Sequence, residues 1–301
     1  MPNSSSDQSQ TSSYIASIII SVYKDVDNLA AILNALEKQS IKERFEVIVS
    51  EDGNDPEIRN FISNYSSDSF SLLHLTQEDL GFRKNRALNR AVANASSDRL
   101  MFLDGDCVPH TKLIESHLKY LKKGVIGIGR RVELGPRLSR LLKNSNKLIL
   151  KLSSPAYYLA YMLPALFDRA HHYESGFRYE WLHNMTRDKG ISLLGCNFSC
   201  HKADLISVNG FNENYQSPGY GEDTDLEFRL SKLAIKKINL KFYAQVFHLY
   251  HTKSYAVTQQ NKDLYQQTKQ KNSVKCEPGI DQYLAQKNLS SAEIHKLSYR
   301  Q

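Results

Sequence analysis

Two aspartates separated by one glycine, Asp104-Gly105-Asp106, end the apolar run "LMFL". Like charges one residue apart repel, so the pair gives the fold nothing by itself. Carboxylate oxygens are the preferred ligands of hard divalent cations, and a glycine lets a phosphate approach closely. A solvated turn explains an isolated Asp-x-Asp just as well. A second acidic pair, Glu222-Asp223 in "GYGEDTD" (219–225), follows glycines at a helix start. It suits either the positive end of the helix dipole or a general base fixed in a cleft. His248 and His251 in "VFHLYH" lie three apart, so on a straight strand they face opposite ways; both reach one metal only if the chain bends. Arg83, Lys84, Arg86 and Arg90 share one helical stretch with no acid, which suits phosphate or a solvated basic face. The ring of Tyr23 can stack on a base and the Asp52 carboxylate can accept from a base N–H, although a capped turn explains either alone. Cys196-x3-Cys200-His201 suggests zinc, but no second cysteine pair has matching spacing, so small buried residues are the better account.

These residues must be placed by the elements around them. "SIIISVY" (17–23) is the β-branched run of a strand buried on both faces, and "NLAAILNALEKQS" (28–40) has apolar residues at helical spacing. "FEVIVSEDG" (45–53), "FSLLHLT" (70–76) and "RLMFLDGD" (99–106) read as strands, with helices at 56–65 and 83–95. This alternation predicts an α/β fold with a mostly parallel central sheet flanked by helices. In such sheets ligands bind at the carboxyl ends of the strands, where Ser21, Tyr23, Asp52, Asp104 and Asp106 all fall. The second half predicts a helix at 137–152, a loop at 171–190, strand, turn and helix at 191–211, a helix at 221–235 and a strand-like run at 237–251. Residues 1–13 read as a disordered leader. Residues 14–256 read as one domain, with a nucleotide-binding half at 14–110 and an acceptor-binding half at 111–256; residues 257–301 read as a loose helical tail.

The chain has 301 residues and four cysteines, Cys107, Cys196, Cys200 and Cys276, too few and too scattered for a disulfide framework. A reducing cytoplasm is expected. The net charge of +7 implies an anionic partner: nucleic acid, a membrane surface or a phosphorylated substrate. The longest uncharged run, Leu152 to Phe167, has 16 residues and two prolines, against roughly 20 needed to cross a bilayer.

In order and spacing, "SIIISVYKDVDNLAAILNALEKQS", "FEVIVSEDGNDPE", "RLMFLDGDCVP" and "LLGCNFSCHKADLISVNGFNENYQSPGYGEDTDLEFRLSKL" with its terminal "HLYH" resemble the inverting family-2 glycosyltransferases of the nucleotide-diphospho-sugar (GT-A) fold. The later segment is similar to the sugar-binding region of β-1,4-galactosyltransferases. The likeness covers roughly residues 15–255. It implies a donor nucleotide-sugar, such as a UDP-sugar, held by Ser21, Tyr23 and Asp52 at the base, by Arg83 and Arg86 near the diphosphate, and by Asp104 near the ribose and the metal. It places Gly195, Cys196 and Asn197 near the donor sugar, and Mn²⁺ or Mg²⁺ on Asp106, His248 and His251. Asp223 would be the catalytic base, with Glu222 orienting the acceptor. The implied reaction moves a hexose or N-acetylhexosamine to a hydroxyl of a surface glycan or glycolipid of capsule, O-antigen or lipopolysaccharide type. Two departures stand out. The usual Ala-Arg-Asn is matched here to Ala87-Leu88-Asn89, which shifts the arginine role to Arg83 or Arg86, and Tyr220 stands where tryptophan is commoner.

Two other classes compete. A nucleotidyltransferase would share fold and metal, but it needs a glycine-rich, lysine-bearing loop after the first strand, and "SVYKDVDN" has no glycine. A non-catalytic basic surface-binding protein explains the charge but not the acids at the strand ends, and those acids argue against nucleic acid as partner. Trp181, the only tryptophan, lies in the 171–190 loop and can stack on an acceptor sugar or anchor the loop. Finally, Arg137, Arg140, Lys143, Lys147 and Lys151 form a helical stripe beside a leucine face within 136–152, and no acid occurs from Gly135 to Phe167. This predicts either a peripheral anchor on the anionic inner face of the plasma membrane or a leucine face packed on the sheet with a solvated basic stripe.

Overall fold

The computed structural model describes residues 14–252, 257–284 and 294–297. The first half is the expected alternation: β1 (Ser17–Val22), α1 (Val26–Leu36), β2 (Phe45–Glu51), α2 (Pro56–Ser63), β3 (Phe70–Leu75), α3 (Lys84–Asn94) and β4 (Arg99–Asp104). The starts of the first two helices are set locally. Asp25 caps α1 through the Asn28 amide at 2.8 Å, and Asp55 caps α2 ahead of Pro56, whose missing N–H costs nothing there. Every residue of β2 is buried, as a strand covered on both faces requires.

The second half comprises β5 (Cys107–Pro109), α4 (Leu113–Leu118), β6 (Val125–Ile128), β7 (Arg130–Glu133), α5 (Pro136–Lys143), α6 (Leu148–Leu152), α7 (Pro155–Ala160), α8 (Met162–Phe167), a 3₁₀ turn at Tyr173–Gly176, α9 (Glu180–Thr186), β8 (Asn197–His201), α10 (Lys202–Ser207), α11 (Glu222–Ser231), β9 (Lys236–Asn239), β10 (Gln245–His248), α12 (Gln259–Gln270), α13 (Asp281–Leu284) and β11 (Ile294–Leu297). The main sheet has the order β11-β3-β2-β1-β4-β8-β6-β9, and a smaller sheet has the order β5-β10-β7. Strands β3, β2, β1 and β4 are mutually parallel, whereas β8 runs antiparallel to both β4 and β6. The register sets Ser21 beside both Ser50 and Asp104, so the carboxyl ends of three strands form one edge.

Three expectations need correction. The helix at 137–152 is two helices, because the Asn144-Ser145-Asn146 segment offers the backbone competing hydrogen bonds. Its leucine face is not free: Leu138, Leu142, Leu148, Ile149 and Leu152 pack in the core, leaving Arg137, Arg140, Lys147 and Lys151 exposed. The loop at 171–190 contains the 3₁₀ turn and α9. The run at 237–251 is split between the two sheets, since Asn239 Oδ1 accepts from the Lys241 amide at 3.0 Å and Phe242 takes a φ of 63°. Among the described residues no helix is long and apolar enough to cross a membrane.

Residues 257–284, read above as a tail, fold back on α11. Asn261 donates to the carbonyls of Ser217 and Tyr220 at 2.8 and 2.9 Å, and Ile280 is buried in the core beneath α3 and β8. Thr268 Oγ1 donates to Asp225 Oδ1 at 2.8 Å, while Asp225 Oδ2 accepts from Arg229 Nε at 2.7 Å. Arg229 is fully buried and also donates to the Val208 and Gly210 carbonyls. Removing one partner of a buried ion pair strands the other charge and costs about 3–5 kcal/mol, against about 1.5–3 kcal/mol for a hydrogen bond to a charged group. Asp225→Ala should therefore lower unfolding stability more than Thr268→Val, as read from urea midpoints at constant slope. Equal losses would show that the charge is not what α11 depends on.

Candidate active site

The strand ends described above line an open cleft of about 610 Å³, bounded by Ser21, Tyr23, Ser50, Asp52, Lys84, Asp104, Asp106, Pro218 and His251 among others. Its floor is close-packed at Gly105, where a β-carbon would stand 2.6 Å from the Ser21 carbonyl oxygen. The sequence left open whether His248 and His251 could meet. They do, because the chain bends where β10 ends. The Leu249 amide donates to the Asp106 carbonyl at 2.8 Å and the Tyr250 amide to Ser139 Oγ at 2.7 Å. Both imidazoles thus return to one carboxylate: His248 Nε2 and His251 Nε2 lie 3.2 and 3.3 Å from Asp106 Oδ2.

Burial opposes ionisation of Asp106, but hydrogen bonds from the two histidines outweigh it and hold the carboxyl well below the usual range. Ligands about 2.1 Å from one cation and at right angles stand about 3 Å apart, close to the spacing of each imidazole from the Asp106 carboxylate. Asp106, Cys107 and His248 form a group whose ligand atoms all lie within 4.8 Å of one another, compact enough to hold a metal ion, and His251 reaches the same carboxylate from outside that group. Cys107 Sγ also touches Asp106, at 3.2 Å, but burial raises its thiol well above the ordinary value and it serves as a hydrogen-bond donor.

Asp104 faces a different cation. Its Oδ1 accepts from Lys84 Nζ at 2.6 Å and from Ser21 Oγ at 3.0 Å. Burial disfavours the charged Lys84, yet Asp104, Asp223 and Glu222 together raise its pKa above the ordinary lysine value. The acidic pair is held at the first turn of α11. Asp223 Oδ2 accepts from the Gly195 amide at 2.7 Å, and a β-carbon on residue 195 would stand 2.3 Å from Asp223 Oδ1, so only glycine fits. Burial pushes both Glu222 and Asp223 up, with Lys84 offsetting part of the rise. Glu222 Oε2 is buried without a hydrogen-bond partner among the described residues.

Several assigned residues take other positions. Asp52 lines the cleft, but its oxygens also organise the loop before α3, accepting from Gln77 Nε2 at 2.7 Å and from the Arg83 amide at 2.6 Å. Arg83 thus contributes its backbone, and Arg86 faces Glu213 and Tyr283 instead of the cleft. Among the described residues the cleft's one lysine or arginine is Lys84, which the sequence grouped with its neighbours without singling it out. It is the first residue of α3, and that position aims it at the end of β4. Asn197 has no exposed surface: its side chain bonds His117 and the Arg130 and Ala244 carbonyls. Cys196 is buried beside Arg131. Of the three residues placed near the donor sugar, Gly195 alone bears on the acidic pair through a hydrogen bond. Tyr23 is 54% exposed on the cleft rim, whereas Trp181 is exposed on α9 and absent from the cleft lining.

This fold has counterparts in solved structures. GalNAc-T7, crystallised with UDP, GalNAc and Mn²⁺, aligns with a TM-score of 0.55 at 11% identity over 85% of this chain and 47% of its own. S. aureus TarS aligns at 0.52 and 15% identity over 78% of this chain and 36% of its own. The fold is the nucleotide-diphospho-sugar (GT-A) fold. Residues 17–184 match the model of glycosyl transferase family 2, and residues 181–252 match one described as the N-terminal domain of galactosyltransferase. The protein belongs to glycosyl transferase family 2. It is similar to glycosyltransferase AglE of Haloferax volcanii, 31% identical over 119 residues, 39% of each chain. It is also similar to validoxylamine A glucosyltransferase of Streptomyces hygroscopicus subsp. jinggangensis, 27% identical over 230 residues, 72% of this chain and 51% of that one. The chain matches about half or less of the length of these relatives.

The three-residue cluster predicts direct Mn²⁺ binding, readable without any turnover. Titration followed by electron paramagnetic resonance should show the free-ion signal quenched by the wild type. Asp106→Ala should weaken binding by more than about tenfold, since even outer-shell changes cost roughly 10–100-fold. Unchanged binding in that variant would remove Asp106 from the ligand set.

Proposed function

We propose that this protein is a metal-dependent, inverting glycosyltransferase that moves a hexose or N-acetylhexosamine from a UDP-sugar to a hydroxyl of a surface glycan or glycolipid. The observation that carries the reading is the pairing of two acidic centres at one sheet edge, Asp106 with two histidines and Glu222-Asp223 facing Lys84. The crystal form of GalNAc-T7 with UDP and Mn²⁺ supports the choice of donor and ion. The four cysteines, all free and buried, support a cytoplasmic setting.

Tyr23 and Asp52 hold the base at the rim of β1 and β2, where Ser50 Oγ also lies buried without a hydrogen-bond partner among the described residues. Ser21 and Lys84 fix Asp104 through two hydrogen bonds to one oxygen, setting it for the ribose. A divalent cation on Asp106, His248 and His251 would, when bound, stabilise negative charge on the departing diphosphate. Asp223 takes the acceptor hydroxyl proton as that oxygen bonds to the anomeric carbon, and the carbon–phosphate-oxygen bond breaks with its electron pair leaving on the diphosphate. The products are the inverted glycoside and a nucleoside diphosphate. Glu222, with one oxygen unpartnered, accepts a hydrogen bond from the acceptor and orients it. A carboxylate whose pKa burial has raised is a stronger base than one in water, which suits it to this task.

The raised pKa has a stability consequence of definite sign. With its folded-state pKa above the unfolded one, Asp223 costs nothing below the unfolded pKa and costs most above the folded one. At neutral pH, Asp223→Asn should therefore unfold at the same temperature as the wild type or higher, while sugar transfer falls about 10²–10⁴-fold. Transfer within a few-fold of wild type would move the base to another carboxylate. The donor is read separately, by slow hydrolysis across a panel of UDP- and GDP-sugars with Mn²⁺. One UDP-sugar should turn over fastest, and preference for a GDP-sugar would correct the base.

A further inference from the structure

Helices α5 to α8 form a one-sided layer. Leu142, Ile149, Leu152 and Tyr158 point into the core. The outer side is unusually apolar. Tyr157, Leu159, Leu163, Leu166 and Phe167 are all exposed within eleven consecutive residues, Leu163 by 63% and Phe167 by 86%. Large apolar side chains scattered singly over a surface are ordinary, but a run this dense marks an interaction site.

Charge selects the partner. No acid occurs from Gly135 to Phe167, and Arg140, Lys147 and Lys151 are exposed beside the apolar run. Lys151 Nζ lies 6.0 Å from the centre of the Tyr157 ring, joining the basic and apolar portions. Aliphatic and aromatic groups to one side, with ammonium groups on long stems at their margin, match the boundary between headgroups and acyl chains of an anionic leaflet. We propose that the outer face of α7 and α8 inserts into an anionic lipid surface, with Arg140, Lys147 and Lys151 on the headgroups.

The layer also abuts the cleft. Ser139 of α5 accepts from the Tyr250 amide, one residue before His251, and Lys143 Nζ stands 3.9 Å from Asp25, a residue of the cleft wall. A docked molecule holds its cleft close to the headgroup plane, which suits an acceptor carried on a lipid. That last clause rests on the glycosyl-transfer reading; lipid docking itself does not.

The test uses the full chain and sedimentation with vesicles of mixed phosphatidylglycerol and phosphatidylcholine, and of phosphatidylcholine alone. The wild type should bind the mixed vesicles and release them at high salt. Each basic side chain near an anionic leaflet is worth a factor of about five, so Lys147→Glu with Lys151→Glu should weaken binding roughly 25-fold or more. Leu163→Glu with Phe167→Glu should weaken it by at least about tenfold, with unchanged nucleotide-sugar hydrolysis in the absence of vesicles. Failure of the wild type to bind, or full binding by both double variants, overturns the proposal. So does a concentration-dependent dimer that Leu163→Glu with Phe167→Glu abolishes while no vesicles bind. None of these outcomes alters Mn²⁺ binding or hydrolysis, so each stands apart from failure of the functional reading.

Discussion

The Lys84 ammonium is the charge on which the cleft depends. Three carboxylates, Asp104, Glu222 and Asp223, lie close enough to act on it, and no other lysine or arginine lines the cleft among the described residues. Without it they would repel one another in a partly buried setting, where such repulsion is weakly screened. The ammonium comes from α3 and the carboxylates from β4 and α11, so one residue ties the first half of the chain to the second. The arrangement also separates two tasks. Asp104 is committed to lysine and serine, while Asp106, two residues on, is committed to histidines.

The first half was legible because its strands are buried on both faces. Such strands are continuous apolar runs, and the polar residue that ends each one marks the site edge. The convergence of His248 and His251 was not legible, because it depends on backbone bonds from Leu249 and Tyr250 to partners more than a hundred residues away. Lys84 was hidden for a related reason. Four basic residues on one helix look alike in sequence, and only the capping of the preceding loop by Asp52 decides which is aimed inward. Asn197 shows the opposite failure: its place in the motif suggested a ligand contact, while three hydrogen bonds in the core consume its side chain.

The second half was harder to read throughout. Its elements are short, and several are bounded by side-chain-to-backbone bonds, not by apolar periodicity. Splitting 237–251 between two sheets needs one Asx turn and one left-handed residue, neither of which alters the alternation of residue types. Pairing β8 antiparallel between β4 and β6 likewise leaves no local trace, since its burial on both faces looks the same in either direction.

The packing of α12 bears on where the functional unit ends. The matched family segments stop at residue 252, yet Asn261 holds the carbonyls of Ser217 and Tyr220, the stretch that leads into Glu222. A fragment trimmed at the matched boundary would keep every strand end that lines the cleft. It would lose the clamp on the acidic loop and uncover the α11 face that Thr268 closes. Helix α12 therefore acts as a splint for the start of α11, and a fragment trimmed at residue 252 would keep the parallel strands while loosening the turn that carries Glu222 and Asp223.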